Sequence, residues 1–252
     1  MTQLNETPII TVERRKAITI IIAAVIISIA LGGGLMKVGS GFASRSTDGI
    51  TVTGSAKVSA TADNAVWILN VSLSSPAVAT AVKKVDSDVV ALSDYLTNGG
   101  IPTEGLTLGA VSTYANEEFA SGNSTGRILS YRASREVTVR SKDVQLISKL
   151  SQAIGSLLAT GINVNNYGPQ YYISNLPELR PKLMSEAMKD AKLRAQALTE
   201  AVGGNIGALV NVKAGPIQIT TPDSTMTADY GAYDTSTIAK TVTATVSVTF
   251  KS

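Results

Sequence analysis

The sequence predicts an α+β protein with mixed sheets, in the order β-β-α-β-β-α-β-α-β-β, preceded by a single transmembrane helix. Three observations predict it. Segments of strict period-two alternation open and close the region after residue 49. Three stretches between them carry apolar residues at helical spacing. An uncharged run, Ala17 to Met36, precedes them all.

That run reads AITIIIAAVIISIALGGGLM. As a helix it would rise about 30 Å, the thickness of a bilayer's hydrocarbon core. Arg14-Arg15-Lys16 stands immediately before it, while Lys37 and Arg45 follow more sparsely. The heavier positive flank stays cytoplasmic, which puts the N-terminus in and the remainder out. The expected organisation is a cytoplasmic tail (1–16), an anchor contacting the lipid bilayer (17–36), a linker (37–48) and an extracytoplasmic domain (49–252), periplasmic or at the cell surface. The rival is a cleaved signal peptide, with Gly41-Phe42-Ala43 before Ser44 as a small-x-small site. The run is long for that purpose, and the site lies well beyond its end. It is apolar all round, unlike a core helix with a polar face. Gly32-Gly33-Gly34 lacks the following Lys-Ser/Thr of a phosphate loop and reads as a flexible exit.

The domain opens with Ile50, Val52, Gly54, Ala56, Val58 and Ala60 alternating with polar residues, a half-buried strand. After Ala62-Asp63 a second strand places Ala65, Trp67, Leu69, Val71 and Leu73 on one face. Pro76 ends it. From about 77 to 97, Val78, Val82, Val85, Val89, Leu92 and Leu96 form a narrow helical stripe, stopped by Asn98-Gly99-Gly100. A strand from Leu106 to Glu117, a polar turn over 119–127 and a strand from Ile128 to Arg140 predict a hairpin. Ser141 is the expected cap of a second helix, with Asp143 in its first turn and Val144, Ile147, Leu150, Ile154 and Leu157 inward, to Gly161. Ile162 to Ser174 reads as a strand. Pro177 and Pro181 are expected at the start of a third helix, where missing N–H groups cost least. Its inward face is Leu183, Ala187, Ala191, Ala195 and Leu198, and Gly203-Gly204 ends it. Ile206 to Val212 is a strand. Residues 215–237 are polar and leave two readings open: a mobile loop, or a segment holding Tyr230 and Tyr233 against a neighbour. Val242 to Phe250 alternates with Thr and Ser as a terminal strand. No repeat of 20–50 residues recurs.

Composition narrows the chemistry. The chain has neither Cys nor His. Ser-His-Asp, Cys-His and zinc-thiolate constellations are therefore excluded. Net charge is +3, of which Arg14, Arg15, Lys16 and Lys37 against Glu6 and Glu13 supply +2. The near-neutral domain suits no nucleic acid, and its tyrosines lack a basic strip. Glu117-Glu118, Asp86 and Asp88 match no dense calcium loop and read as solvated charge. Glu186 and Asp190, beside Lys182, Lys189 and Arg194, read as helix-surface pairs. Gly203 to Gly207 follows a helix rather than a strand, the reverse of a dinucleotide fingerprint. No cofactor, metal or small-molecule ligand is expected.

Arg135 stands on the same strand face as Leu129, Tyr131, Ala133, Val137 and Val139. A bulge would rotate it out, or it would snorkel at a sheet edge. The sharper expectation is a hydrogen-bonded contact across a subunit boundary. Tyr230 and Tyr233 are expected at the same kind of interface.

Four stretches resemble the SIMPL-domain family: Ile50-Thr51-Val52-Thr53-Gly54-Ser55-Ala56; Tyr131-Arg132-Ala133-Ser134-Arg135 leading into Val137-Thr138-Val139-Arg140; the Ala187, Ala191, Ala195 ladder ending in Gly203-Gly204-Asn205-Ile206-Gly207; and Val242-Thr243-Ala244-Thr245-Val246. Their order covers nearly all of 49–252. The resemblance implies an extracytoplasmic α+β protein, homo-oligomeric rings or cages, and links to oxidative or envelope stress. It supplies no catalytic residues. Typical relatives have a cleavable signal, whereas this chain looks anchored. The expected function is a non-enzymatic, membrane-anchored envelope protein that assembles with itself through strand edges and helix faces. The rivals are an envelope-stress chaperone or binding module of low oligomeric state, and a carboxylate-dependent hydrolase with two converging acids.

Overall fold

The structure, a computed structural model, describes residues 49–251. The expected tail, anchor (17–36) and linker lie outside the described residues. Among the described residues, no helix is long and apolar enough to cross a membrane.

Two antiparallel sheets each carry a helix. In the first, β1 (Gly49–Thr61) pairs along its whole length with the C-terminal strand β9 (Ala239–Lys251), from Gly49 opposite Lys251 to Thr61 opposite Ala239. The far side of β9 is shared by β7 (Leu209–Ala214) and β8 (Gln218–Thr220). In the second, β2 (Asn64–Ser75) lies between β5 (Asn123–Ser141) and β6 (Val164–Tyr172). The outer side of β5 takes β3 (Leu106–Leu108) and β4 (Ser112–Ala120). The expectation of mixed sheets is corrected: every pairing between named strands is antiparallel. The helices return the chain to strands that are not parallel neighbours, and one isolated bridge, Ile219 to Tyr233, runs parallel.

Helix α1 (Val78–Asn98) covers the second sheet through Ala81, Val85, Val89, Leu92 and Leu96 against Trp67, Leu69, Val71 and Val137. Trp67 is fully buried, and its Nε1–H donates to Asn166 Oδ1 at 2.8 Å. Val78, expected inward, is exposed in the first turn, and Ala81 takes up the stripe. Asp88, expected in solvent, is buried and pairs with Lys84 one turn back. The helix ends as its glycines predict: Gly100 has φ +104°, and the Ile101 N–H donates to Leu96 O at 3.0 Å.

Helix α2 (Val144–Ala153) is capped by Asp143, whose Oδ1 accepts from the Leu146 N–H at 2.9 Å. Ser141, the expected cap, instead accepts from the Asp143 N–H. A break at Ile154 separates α2 from the single turn α3 (Gly155–Leu158), but all five expected apolar positions are buried.

Helix α4 (Leu176–Glu200) lies on β1 and β9. Pro177 falls in its first turn, as expected. Pro181 lies one turn deeper, inside the helix, where it forfeits a hydrogen bond. The buried face is Leu183, Ala187, Ala191, Ala195 and Thr199; Leu198 is exposed. Steps of four from Ala195 reach Thr199, whose hydroxyl is satisfied by the Ala195 carbonyl at 3.0 Å. Alanines are needed here because β1 comes very close. A Cβ added to Gly54 would lie 2.1 Å from Ala187 O and 2.4 Å from Ala191 N.

Candidate assembly surfaces

Each unpaired sheet edge offers a row of N–H and C=O groups to another strand. The molecule treats its edges differently.

The outer edge of β1 is guarded by α4. Asp190 Oδ2 accepts the outward Ser55 N–H at 2.8 Å and the Arg194 Nε–H at 2.8 Å. The Ser55 hydrogen bond and then Arg194 hold the Asp190 carboxyl below its usual range. A groove of about 530 Å³ runs beside this edge, lined by Ala56, Lys57, Val58, Leu183, Glu186 and Leu193 among others. Two acids, Glu186 and Asp190, share it. Both are engaged: Glu186 with Lys189 at 2.9 Å, Asp190 as described.

One strap, residues 231–238, covers the edge of β8 and meets the end of the β6 edge. The Ile219 N–H donates to Ala232 O at 2.7 Å, and the Asp234 N–H to Ile219 O at 2.8 Å. On the other sheet the Tyr171 N–H donates to Thr235 O at 2.8 Å. The strap is pinned from below by Lys240, whose side chain is wholly buried and whose Nζ donates to Asp234 O (2.6 Å) and Asp234 Oδ2 (2.9 Å). Burial works to raise the Asp234 carboxyl. Hydrogen bonds from Ser236, Thr237 and Lys240 overcome it and hold the group well below the usual carboxylate range. Gln218 fixes the loop before the strap, donating to Ala228 O and accepting the Ala232 N–H, both at 2.7 Å. Much of the 215–237 segment is therefore hydrogen-bonded structure. No period announces it, because its partners are polar and irregularly spaced.

Tyr233 sits in this strap. Its Oη accepts the Ile173 N–H at 3.1 Å, and its ring lies 5.9 Å from that of Tyr172. Tyr230 is fully exposed. Both border a depression of about 500 Å³ with Leu176, Arg180, Met184 and Ile217.

Arg135 lies opposite Val71 in an unbroken register, on the face covered by α1, so no bulge turns it out. It reaches past the helix: Nε donates to Gly109 O at 2.9 Å and Nη1 to Asp86 Oδ1 at 3.1 Å. These partners hold Arg135 from within its own chain. The structure does not bring Arg135 together with Tyr230 and Tyr233 in a shared hydrogen-bonded cluster.

Two edges stand open over larger apolar surfaces. All six residues of β7 are exposed, including Leu209, Val210 and Val212, because α4 packs on β1 and β9 and leaves β7 uncovered. The second is an arm. Pairing of β2 with β5 ends at Ser75 opposite Tyr131, whereas β4 and β5 continue as a two-stranded ribbon to Ala120 opposite Asn123. The expected loop over 119–127 shrinks to Ser121-Gly122, both at positive φ (51° and 84°), the geometry of a tight hairpin turn. Two register shifts, with Gly126 at φ +73°, absorb extra residues in β5. Phe119, Ile128 and Leu129 are exposed on this ribbon, Phe119 at 66%, and Tyr114 is exposed at its base. Glu118 pairs with Arg127 at 3.1 Å, and Glu117 accepts from Ser124. The aromatic and aliphatic residues flanking a two-residue Ser-Gly turn were the available sequence signal for the arm; the Ser, Asn and Gly content of 121–126 masked it.

Among the described residues, no three acids gather as a metal site. The chain belongs to the SIMPL family, described as "Protein of unknown function (DUF541)", whose model matches residues 50–250. No curated protein matches it.

Proposed function

We propose that this chain is a non-enzymatic, membrane-anchored protein of the cell envelope whose domains associate into a closed ring or cage. The observation that carries this reading is the β4–β5 arm. Isolated two-stranded ribbons are marginal in water, and this one exposes Phe119, Ile128 and Leu129 beyond the sheet that supports its base. A second copy that covered it would stabilise it. The apolar run 17–36, flanked by Arg14-Arg15-Lys16, supports the anchor and the outward placement of the domain. The absence of His and Cys fits a geometric rather than a catalytic role.

The test is the mass of the full chain in mild detergent, by light scattering on a sizing column with the micelle subtracted. A single species of several chains is expected. A monomer at micromolar concentration would remove the reading.

A binding module is the second reading, favoured by the depression beside Tyr230, Tyr233 and Arg180. It would show as saturable enhancement of an apolar, anionic fluorophore by a monomeric protein, lost in Arg180→Glu.

A further inference from the structure

Resting on that self-assembly reading, we infer that the β4–β5 arm of one copy docks on the β7 edge of the next, so that the contact runs head to tail.

The inference follows from which edges are available. The β1 edge has its Ser55 N–H taken by Asp190 and α4 alongside it. The β8 and β6 edges are bonded to the strap at Ile219 and Tyr171. Strand addition needs free N–H and C=O groups; β7 and the arm offer them with neither helix nor strap alongside, whereas β1 lies beside α4 and β8 and β6 meet the strap. Both carry clusters of exposed apolar residues: Leu209, Val210 and Val212 on β7, Phe119, Ile128 and Leu129 on the arm. Exposed apolar residues on a strand edge are what natural sheets ordinarily avoid unless a partner covers them.

The charges agree. The arm carries Glu117 and Glu118 against Arg127, a net of −1 over 112–130. The chain from 201 to 217 carries one charge, Lys213 on β7. Two arms meeting each other would set Glu117 and Glu118 against their own copies. An arm on β7 sets them beside a lysine.

Arm and β7 are different surfaces of one chain, so one contact leaves a free arm at one end and a free β7 at the other. Such heterologous contacts close into rings or extend as filaments. The occupant of β7 is thus a second copy of this chain.

Two exposed substitutions test this in the full chain in detergent. Phe119→Asp damages only the arm, and Val212→Lys damages only β7. Each variant alone is expected to fall to the mass of one chain. Mixed in equal amounts they have one good arm facing one good β7, and a 1:1 dimer and nothing larger is expected. Full-size assemblies from either variant alone would overturn the inference. So would a mixture that stays monomeric or rebuilds the full assembly. A monomeric parent chain would instead overturn the self-assembly reading itself. Circular dichroism of each variant, unchanged from the parent, separates lost contact from lost fold.

Discussion

The two helix-on-sheet layers solve one packing problem in opposite ways. On the second sheet, α1 keeps its distance, and the gap is filled by Trp67, Leu69, Leu92 and Leu96. On the first, α4 lies almost on the backbone of β1, with Gly54 against the Ala187–Ala191 turn. The large-residue layer gains from apolar area removed from water. The small-residue layer gives up some of that area for proximity, and proximity lets Asp190 reach the Ser55 N–H and guard an edge. Displacement of α4 toward β1 has a consequence on the far side, where β7 is left uncovered. One edge is protected and the other exposed by the same placement.

The comparison can be broken from either side. The largest effect is expected in the large-residue layer: Trp67→Ala should cost about 3–5 kcal/mol, read from the denaturant midpoint, because a fully buried indole leaves a cavity. Asp234→Ala comes next, at about 3 kcal/mol, since it strands a buried Lys240 charge. Adding Lys240→Met should recover part of that loss. The pH dependence has a definite sign. The Asp234 carboxyl is held below its unfolded value of 3.8, so its contribution is present above that value and is lost as pH falls through its folded value. Acid unfolding of Asp234→Ala should accordingly be shallower than that of the parent.

In the small-residue layer, Gly54→Ala should cost about 1–3 kcal/mol although it adds one methyl group, because the obstacle is the backbone oxygen of Ala187. An unchanged midpoint would mean that α4 can move away freely. The smallest effect is Asp190→Ala: a slight fall in midpoint, with the Ser55 amide exchanging hydrogen faster than in the parent. In the parent, that protection should weaken on acidification, as the lowered carboxyl is finally protonated.

The same contrast explains what was legible in the sequence. Repeating spacings were readable: Val85, Val89, Leu92 and Leu96 on α1, the Ala187–Ala191–Ala195 ladder, and the alternation of β9 all lie buried as their periods predict. Errors fell where a period ends. Val78 overshoots the sheet, and Leu198 yields to Thr199 because steps of four outlast the expected spacing. Contacts between residues far apart in sequence were not readable. Asp88 reads as surface charge although the fold buries it, and Arg135 reads as an anomaly until Asp86 and Gly109 reach it. The candidate surfaces were the least legible. The arm is hidden by turn-forming residues, and the exposure of β7 follows from where α4 lies rather than from any residue of β7.

The measurement that bears most directly on assembly through open sheet edges is the mass of the full chain in detergent, beside that of Phe119→Asp. The account predicts several chains for the parent and one for the variant, with both folded. Equal masses for the two would contradict it.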